Sequence, residues 1–113
     1  MTTETEDFQI ISDTPYTTKI SGILRLPSPL AYEKPFITIS EGIKNCNNQT
    51  YTIDLINLTF LNSSGITALA RLIINARQCE QKLCFIGNEN IPWQQKSLNN
   101  LKKLWSGISI ILK

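Results

Sequence analysis

The sequence predicts a small α/β domain, a mixed β-sheet covered by helices, and three observations carry that prediction. Short apolar runs rich in β-branched residues, such as Tyr51 to Ile56, alternate with longer stretches, such as Ser64 to Gln81, whose apolar residues recur at helical spacing. Turn and capping residues stand between the two kinds, with Pro27, Pro29 and Pro35 before one helix and Asn62, Ser63 and Ser64 before another. The chain has 113 residues, 42% hydrophobic and 18% charged, which suits one soluble domain with a core of its own and is too short for two.

The elements follow in order. Residues 1–7 are polar and acidic and read as a loose tail, leaving 8–113 as the domain. Phe8 to Ser12 and Lys19 to Leu26 alternate apolar and polar residues on either side of Asp13, Thr14 and Pro15, and predict a pair of strands. Pro35 to Cys46 has Phe36, Ile39 and Ile43 at helical spacing, and predicts a modest helix despite its β-branched residues. Tyr51 to Ile56 predicts a buried strand. Ser64 to Gln81 predicts the strongest helix, with Ile66, Leu69, Ala70, Ile73 and Ala76 on one stripe. Leu83 to Ile86 is a further strand closed by Gly87, Ile91 to Trp105 a helix with Pro92 in its first turn, and Ile108 to Leu112 a last strand after Gly107. The predicted order is β-β-α-β-α-β-α-β, which calls for a mainly parallel or mixed sheet.

Composition removes several functions. The chain has no histidine, which excludes Ser-His-Asp and Cys-His catalysis and the commonest metal ligand. Cys79 and Cys84 have no second pair to complete a zinc site, and Asp54 has no carboxylate partner at a useful spacing. Five glycines form no phosphate loop. The expectation is therefore a protein that is not an enzyme and takes neither cofactor nor metal. A net charge of +2 gives no sign of direct nucleic-acid binding; Lys96, Lys102 and Lys103 read as a solvated helix face. The polar start and the short apolar runs point to a cytoplasmic protein without membrane insertion. Cys46, Cys79 and Cys84, an odd number without paired spacing, are expected as reduced and mostly buried thiols. In such a chain the tripeptides beginning at Asn48, Asn57 and Asn62 are chance matches to a glycosylation signal.

One segment is more specific. Asp54-Leu55-Ile56-Asn57-Leu58-Thr59-Phe60-Leu61-Asn62-Ser63-Ser64-Gly65-Ile66-Thr67-Ala68-Leu69 resembles the signature of STAS domains, in which a strand ending in Asp-Leu leads through Leu-Thr-Phe to Asp-Ser-Ser-Gly and a helix. The element order over about residues 8–112 agrees, and Gly22 stands near the family's second-strand glycine. The resemblance implies a STAS-like fold and the role of a bacterial anti-sigma factor antagonist in a partner-switching pathway that regulates transcription. It implies that Ser63 is phosphorylated, with Ser64 as its neighbour and Gly65 at the start of the helix, and that Asn62, Ser63, Ser64 and Gly65 meet the partner. The implied partners are an anti-sigma factor or serine kinase and a metal-dependent serine phosphatase. Asn62 stands where the family usually has aspartate; its amide keeps similar size and capping ability. Two other readings belong to the same family: a constitutive scaffold subunit of a transport complex, and a nucleotide-sensing domain.

Overall fold

Two hydrogen-bonding patterns meet on one strand. The computed structural model describes residues 2–4, 7–45 and 49–113, and its elements run β1 (Thr2–Glu4), β2 (Phe8–Thr14), β3 (Thr17–Leu24), a short 3-10 helix (Pro29–Tyr32), α1 (Ile37–Lys44), β4 (Tyr51–Asp54), β5 (Leu58–Leu61), α2 (Ser63–Gln78), β6 (Leu83–Gly87), α3 (Pro92–Lys102) and β7 (Ile108–Leu112). The sheet order is β1-β2-β3-β4-β6-β7, with β5 also paired to β3. On one side β3 pairs antiparallel with β2, and on the other it runs parallel to both β4 and β5. Thr17 to Lys19 face β4, and Gly22 to Leu24 face β5, so β3 carries two strands end to end.

That arrangement needs a break in β3, and Gly22 supplies it. Gly22 has φ +94, a region other residues rarely adopt, and the ladder to β5 shifts register between Gly22 and Ile23. Its N–H donates to the Asn57 carbonyl at 2.9 Å, while the next N–H, of Ile23, donates to the Asp7 carbonyl at 2.7 Å. A Cβ on Gly22 would collide with that same Asp7 oxygen.

Helices α1, α2 and α3 lie side by side, α2 between the others. They cover the sheet face bearing Ile10, Ile20, Ile53 and Phe85, all buried. Helix α2 contributes Leu69, Leu72, Ile73 and Ala76 to this core, α1 contributes Ile39 and Ile43, and α3 contributes Leu98 and Leu101. Burying one such side chain stabilises the fold by about 1.5–3 kcal/mol. On the opposite face, the row Lys19–Asp54–Ile86–Ile111 has exposed residues at both ends.

The mixed α/β architecture predicted from the sequence is present, and each expected helix and strand has a counterpart. Three differences matter. Thr2–Glu4, within the expected tail, pair with β2 as an edge strand. Leu58–Leu61, with no strand of its own in the predicted order, forms β5. Helix α2 begins at Ser63 and ends at Gln78, so Ser63 and Ser64 lie inside the helix and Asn62 alone caps it. Cys79 is exposed and Cys84 buried, against the expectation for Cys79; Cys46 lies outside the described residues. Among the described residues no helix is long and apolar enough to cross a membrane.

Gly22→Ala combines an unfavourable φ with a backbone collision, so we expect it to lower stability by about 2 kcal/mol or more. Urea unfolding monitored by circular dichroism measures this; a loss below about 0.5 kcal/mol, the range of an indifferent surface change, would mean β3 does not need its break.

Candidate functional site

Strand β5 delivers the chain directly to the start of α2. Leu61 closes the strand, Asn62 is the N-cap in extended conformation (φ −78, ψ 175), and Ser63, Ser64 and Gly65 form the first helical turn. The Asn62 Oδ1 accepts the Gly65 N–H at 2.9 Å, which satisfies one of the backbone donors that a helix start leaves unpaired. Ser63 is exposed, Ser64 half-buried and Gly65 buried. The Ser63 hydroxyl makes no hydrogen bond to another described residue, and it sits at the positive end of the helix dipole. The four residues singled out in the sequence thus form one turn, with Ser63 the accessible one.

Capping is only part of what Asn62 does. Its Nδ2 donates to the Leu26 carbonyl at 2.8 Å, and its Oδ1 also accepts the Tyr32 hydroxyl at 2.7 Å. The Tyr32 oxygen in turn accepts the Leu26 N–H at 3.2 Å. The Asn62 N–H continues the β5 ladder to the Leu24 carbonyl at 3.1 Å. Leu26, Tyr32 and Asn62 therefore close a ring of hydrogen bonds that joins the end of β3, the 3-10 helix and the start of α2. Tyr32 is fully buried. Burial pushes its phenol above the ordinary tyrosine range, against the opposing effect of the bond from Leu26. Because the folded value is raised, this contribution to stability is whole below the ordinary range and is lost as pH rises through the raised one. Gly65 is required by the same packing: a Cβ there would strike Leu61 and lie 2.9 Å from the Tyr32 oxygen.

Helix α3 holds β5 from the other side. The side chain of Gln94, fully buried, donates through Nε2 to the carbonyls of Leu55 (2.6 Å) and Leu58 (2.9 Å) and accepts the Asn88 N–H at 2.8 Å. Trp93 Nε1 donates to the Thr59 carbonyl at 3.1 Å. Sequence reading missed Tyr32, Leu26, Trp93 and Gln94; the one available signal was a polar Gln94 at a position where α3 turns its core face inward.

The exposed residues of β3, β5 and α2 are largely apolar or basic. Ile23 and Phe60 are register partners on adjacent strands and both are exposed. Arg25 is exposed just beyond β3. Ser63, Thr67 and Arg71 recur every four residues along the exposed side of α2, whose charged residues are Arg71 and Arg77, with no acid. Beside this stripe a groove of about 360 Å³ runs between α2 and the segment Pro29 to Ser40, with Ile37 and Ile74 exposed on its walls. Among the described residues no group of three or more Cys, Asp or Glu side chains is placed to hold a metal ion.

No family model matches the chain, and no curated protein matches it. Among solved structures, it is similar to a chain of the crystal structure of the diguanylate cyclase SiaD in complex with its activator SiaC from Pseudomonas aeruginosa, the activator SiaC. The likeness has a TM-score of 0.74 at 14% identity and covers 100% of this chain and 99% of that one. At that identity it speaks for the fold, the mixed α/β architecture compatible with a STAS-like one.

The ring around Asn62 changes what its replacement by aspartate should do. A carboxylate can accept from Tyr32 and Gly65, but it has no hydrogen to offer Leu26 and sets two acceptors against each other. We expect Asn62→Asp to cost about 1 kcal/mol or more at neutral pH, because the part-buried Leu26 carbonyl loses its donor. The loss should shrink in acid, where a protonated carboxyl can donate to Leu26 again. Thermal melts of both proteins across pH check this; equal stability at neutral pH would show that the Leu26 bond contributes nothing.

Proposed function

We propose that the chain is a protein-binding switch of the partner-switching kind, an anti-sigma factor antagonist controlled by phosphorylation of Ser63. The observation that carries this reading is the position of Ser63: exposed, first in α2, and immediately after a cap whose side chain makes three hydrogen bonds. A kinase would transfer the γ-phosphoryl of ATP to the Ser63 Oγ, releasing ADP and the hydroxyl proton. The product adds about −1.5 to −2 charges at the positive end of a helix, which the isolated fold tolerates.

The surroundings give that charge something to act on. Exposed apolar residues lie on the elements that lead into and flank α2: Ile23 and Phe60 on β3 and β5, and Ile37 and Ile74 on the walls of the groove along α2. A partner resting on this surface removes water from Ser63, so a phosphate there raises a desolvation and repulsion penalty. The unmodified protein binds and the modified one lets go, and a metal-dependent serine phosphatase returns it to the binding state.

The structural neighbour bears on the target. SiaC is described as an activator in complex with an enzyme, a diguanylate cyclase, and that favours a second reading of the target as an enzyme instead of an anti-sigma factor. Both readings share the same surface and the same serine. Binding tests against a sigma-controlling kinase and against a nucleotide cyclase separate them.

The test of the site is intact-mass and peptide mass spectrometry after incubation with the cognate kinase and ATP. We expect one phosphate, on Ser63, absent from Ser63→Ala and retained in Ser64→Ala. Label that persists in Ser63→Ala and disappears in Ser64→Ala moves the switch to Ser64, and a protein that takes no phosphate from any kinase of its pathway supports the constitutive scaffold.

A further inference from the structure

The carboxamide of Asn62 makes three hydrogen bonds, with both oxygen lone pairs and one of its two N–H groups engaged. Its oxygen holds Tyr32 and Gly65, and its amide nitrogen holds Leu26, all within 2.9 Å. Ser63 is the adjacent residue, and its exposed hydroxyl lies at the same helix start. A phosphate on Ser63 and the Asn62 oxygen are both acceptors, and they compete for the same first-turn N–H groups. The dianion is the stronger competitor, because hydrogen bonds to a charged acceptor are roughly twice as strong as neutral ones.

We propose that the Asn62 carboxamide is a two-position relay, holding the Leu26–Tyr32 segment while Ser63 is unmodified and turning its NH2 towards the phosphate when Ser63 is phosphorylated, so that the segment is released. The proposal rests on the reading of Ser63 as the modified residue. Rotation of the amide exchanges its oxygen and nitrogen. The phosphate then gains the Nδ2 donor and replaces Oδ1 at the helix start, while Leu26 loses its donor and Tyr32 loses its acceptor. Tyr32 is fully buried, so its O–H, left without an acceptor although its oxygen still takes the Leu26 N–H, stays there only at a cost. The segment relieves that cost by moving off α2 until water reaches Tyr32 and the Leu26 carbonyl.

The released segment is part of the binding surface. Pro29, Tyr32, Glu33 and Phe36 form one wall of the groove along α2, and Leu30 is among the most exposed apolar residues of the chain, at 67%. Phosphorylation then alters the shape of the docking surface as well as its charge. The relay also gives the amide a purpose that a carboxylate at this position cannot serve, since a carboxylate has no donor to turn towards phosphate.

The experiment uses the full chain with phosphoserine placed at position 63 during translation, so that it needs no kinase and no partner. Amide hydrogen exchange is followed by NMR at Leu26, whose N–H donates to the Tyr32 oxygen, and at Ile53 and Phe85 in the sheet as controls. Phosphoserine should speed exchange at Leu26 by about tenfold or more, as expected when one hydrogen-bonded segment opens locally, leave Ile53 and Phe85 unchanged, and shift the Asn62 side-chain NH2 resonances. Tyr32→Phe without phosphate should show the same fast exchange at Leu26, and phosphate should add little to it. Unchanged protection at Leu26, or an equal rise at all three amides, overturns the relay. Its failure is separate from failure of the switch: opening of the segment with partner binding unaltered contradicts the proposed function and supports the relay, whereas lost binding with the segment still closed overturns the relay alone.

Discussion

The hydrogen-bond ring of Leu26, Tyr32 and Asn62 is the constraint on which the rest of the candidate site depends. It fixes the direction in which α2 leaves β5, because the residue that caps the helix is also tied to the end of β3 and to the 3-10 helix. It demands glycine at position 65, where any Cβ would press on Tyr32 and Leu61. It leaves Ser63 outside the ring, exposed, its hydroxyl making no hydrogen bond to another described residue, beside a side chain that makes three. Each member of the ring holds two others, so loss of one bond weakens the setting of the rest.

Much of the fold was legible because periodicity and burial agree. Leu69, Ile73 and Ala76 recur on one stripe of α2, and all three are buried; Pro92 marks the first turn of α3 as expected. Strand β5 was not legible, for a physical reason. Leu58 and Leu61 are buried with two exposed residues, Thr59 and Phe60, between them, so the alternation of a half-buried strand is absent. Its ladder comes from β3, more than thirty residues earlier, and its remaining carbonyls are held by α3. Strand β1 is polar and exists through edge pairing with β2, which composition does not announce.

The site divides in the same way. The turn of Asn62, Ser63, Ser64 and Gly65 was legible because these residues are consecutive and capping types stand ahead of a helical stripe. Tyr32 and Leu26 were not, since they lie 30 and 36 residues from Asn62 and meet it only through the tertiary fold. The proline-rich segment 27–36 lies outside the stretch that resembles the STAS signature, yet Tyr32 within it holds the cap of α2 in place. A short motif with a diverged support fits a chain whose fold resembles that of SiaC at 14% identity while no family model matches it.

The central claim is that charge on Ser63 governs binding while the fold remains intact. The most direct measurement is calorimetric titration of the kinase that modifies this chain, loaded with a non-hydrolysable ATP analogue, with the parent protein, Ser63→Ala and Ser63→Asp, each with a parallel thermal melt. The account predicts melts for Ser63→Asp within about 1 kcal/mol of the parent, since the added charge sits at the favourable end of α2. It predicts that Ser63→Ala still binds and that Ser63→Asp binds at least about thirtyfold more weakly, a difference of about 2 kcal/mol. Equal affinity for the parent and Ser63→Asp would contradict it and leave α2 as the fixed edge of a constitutive scaffold.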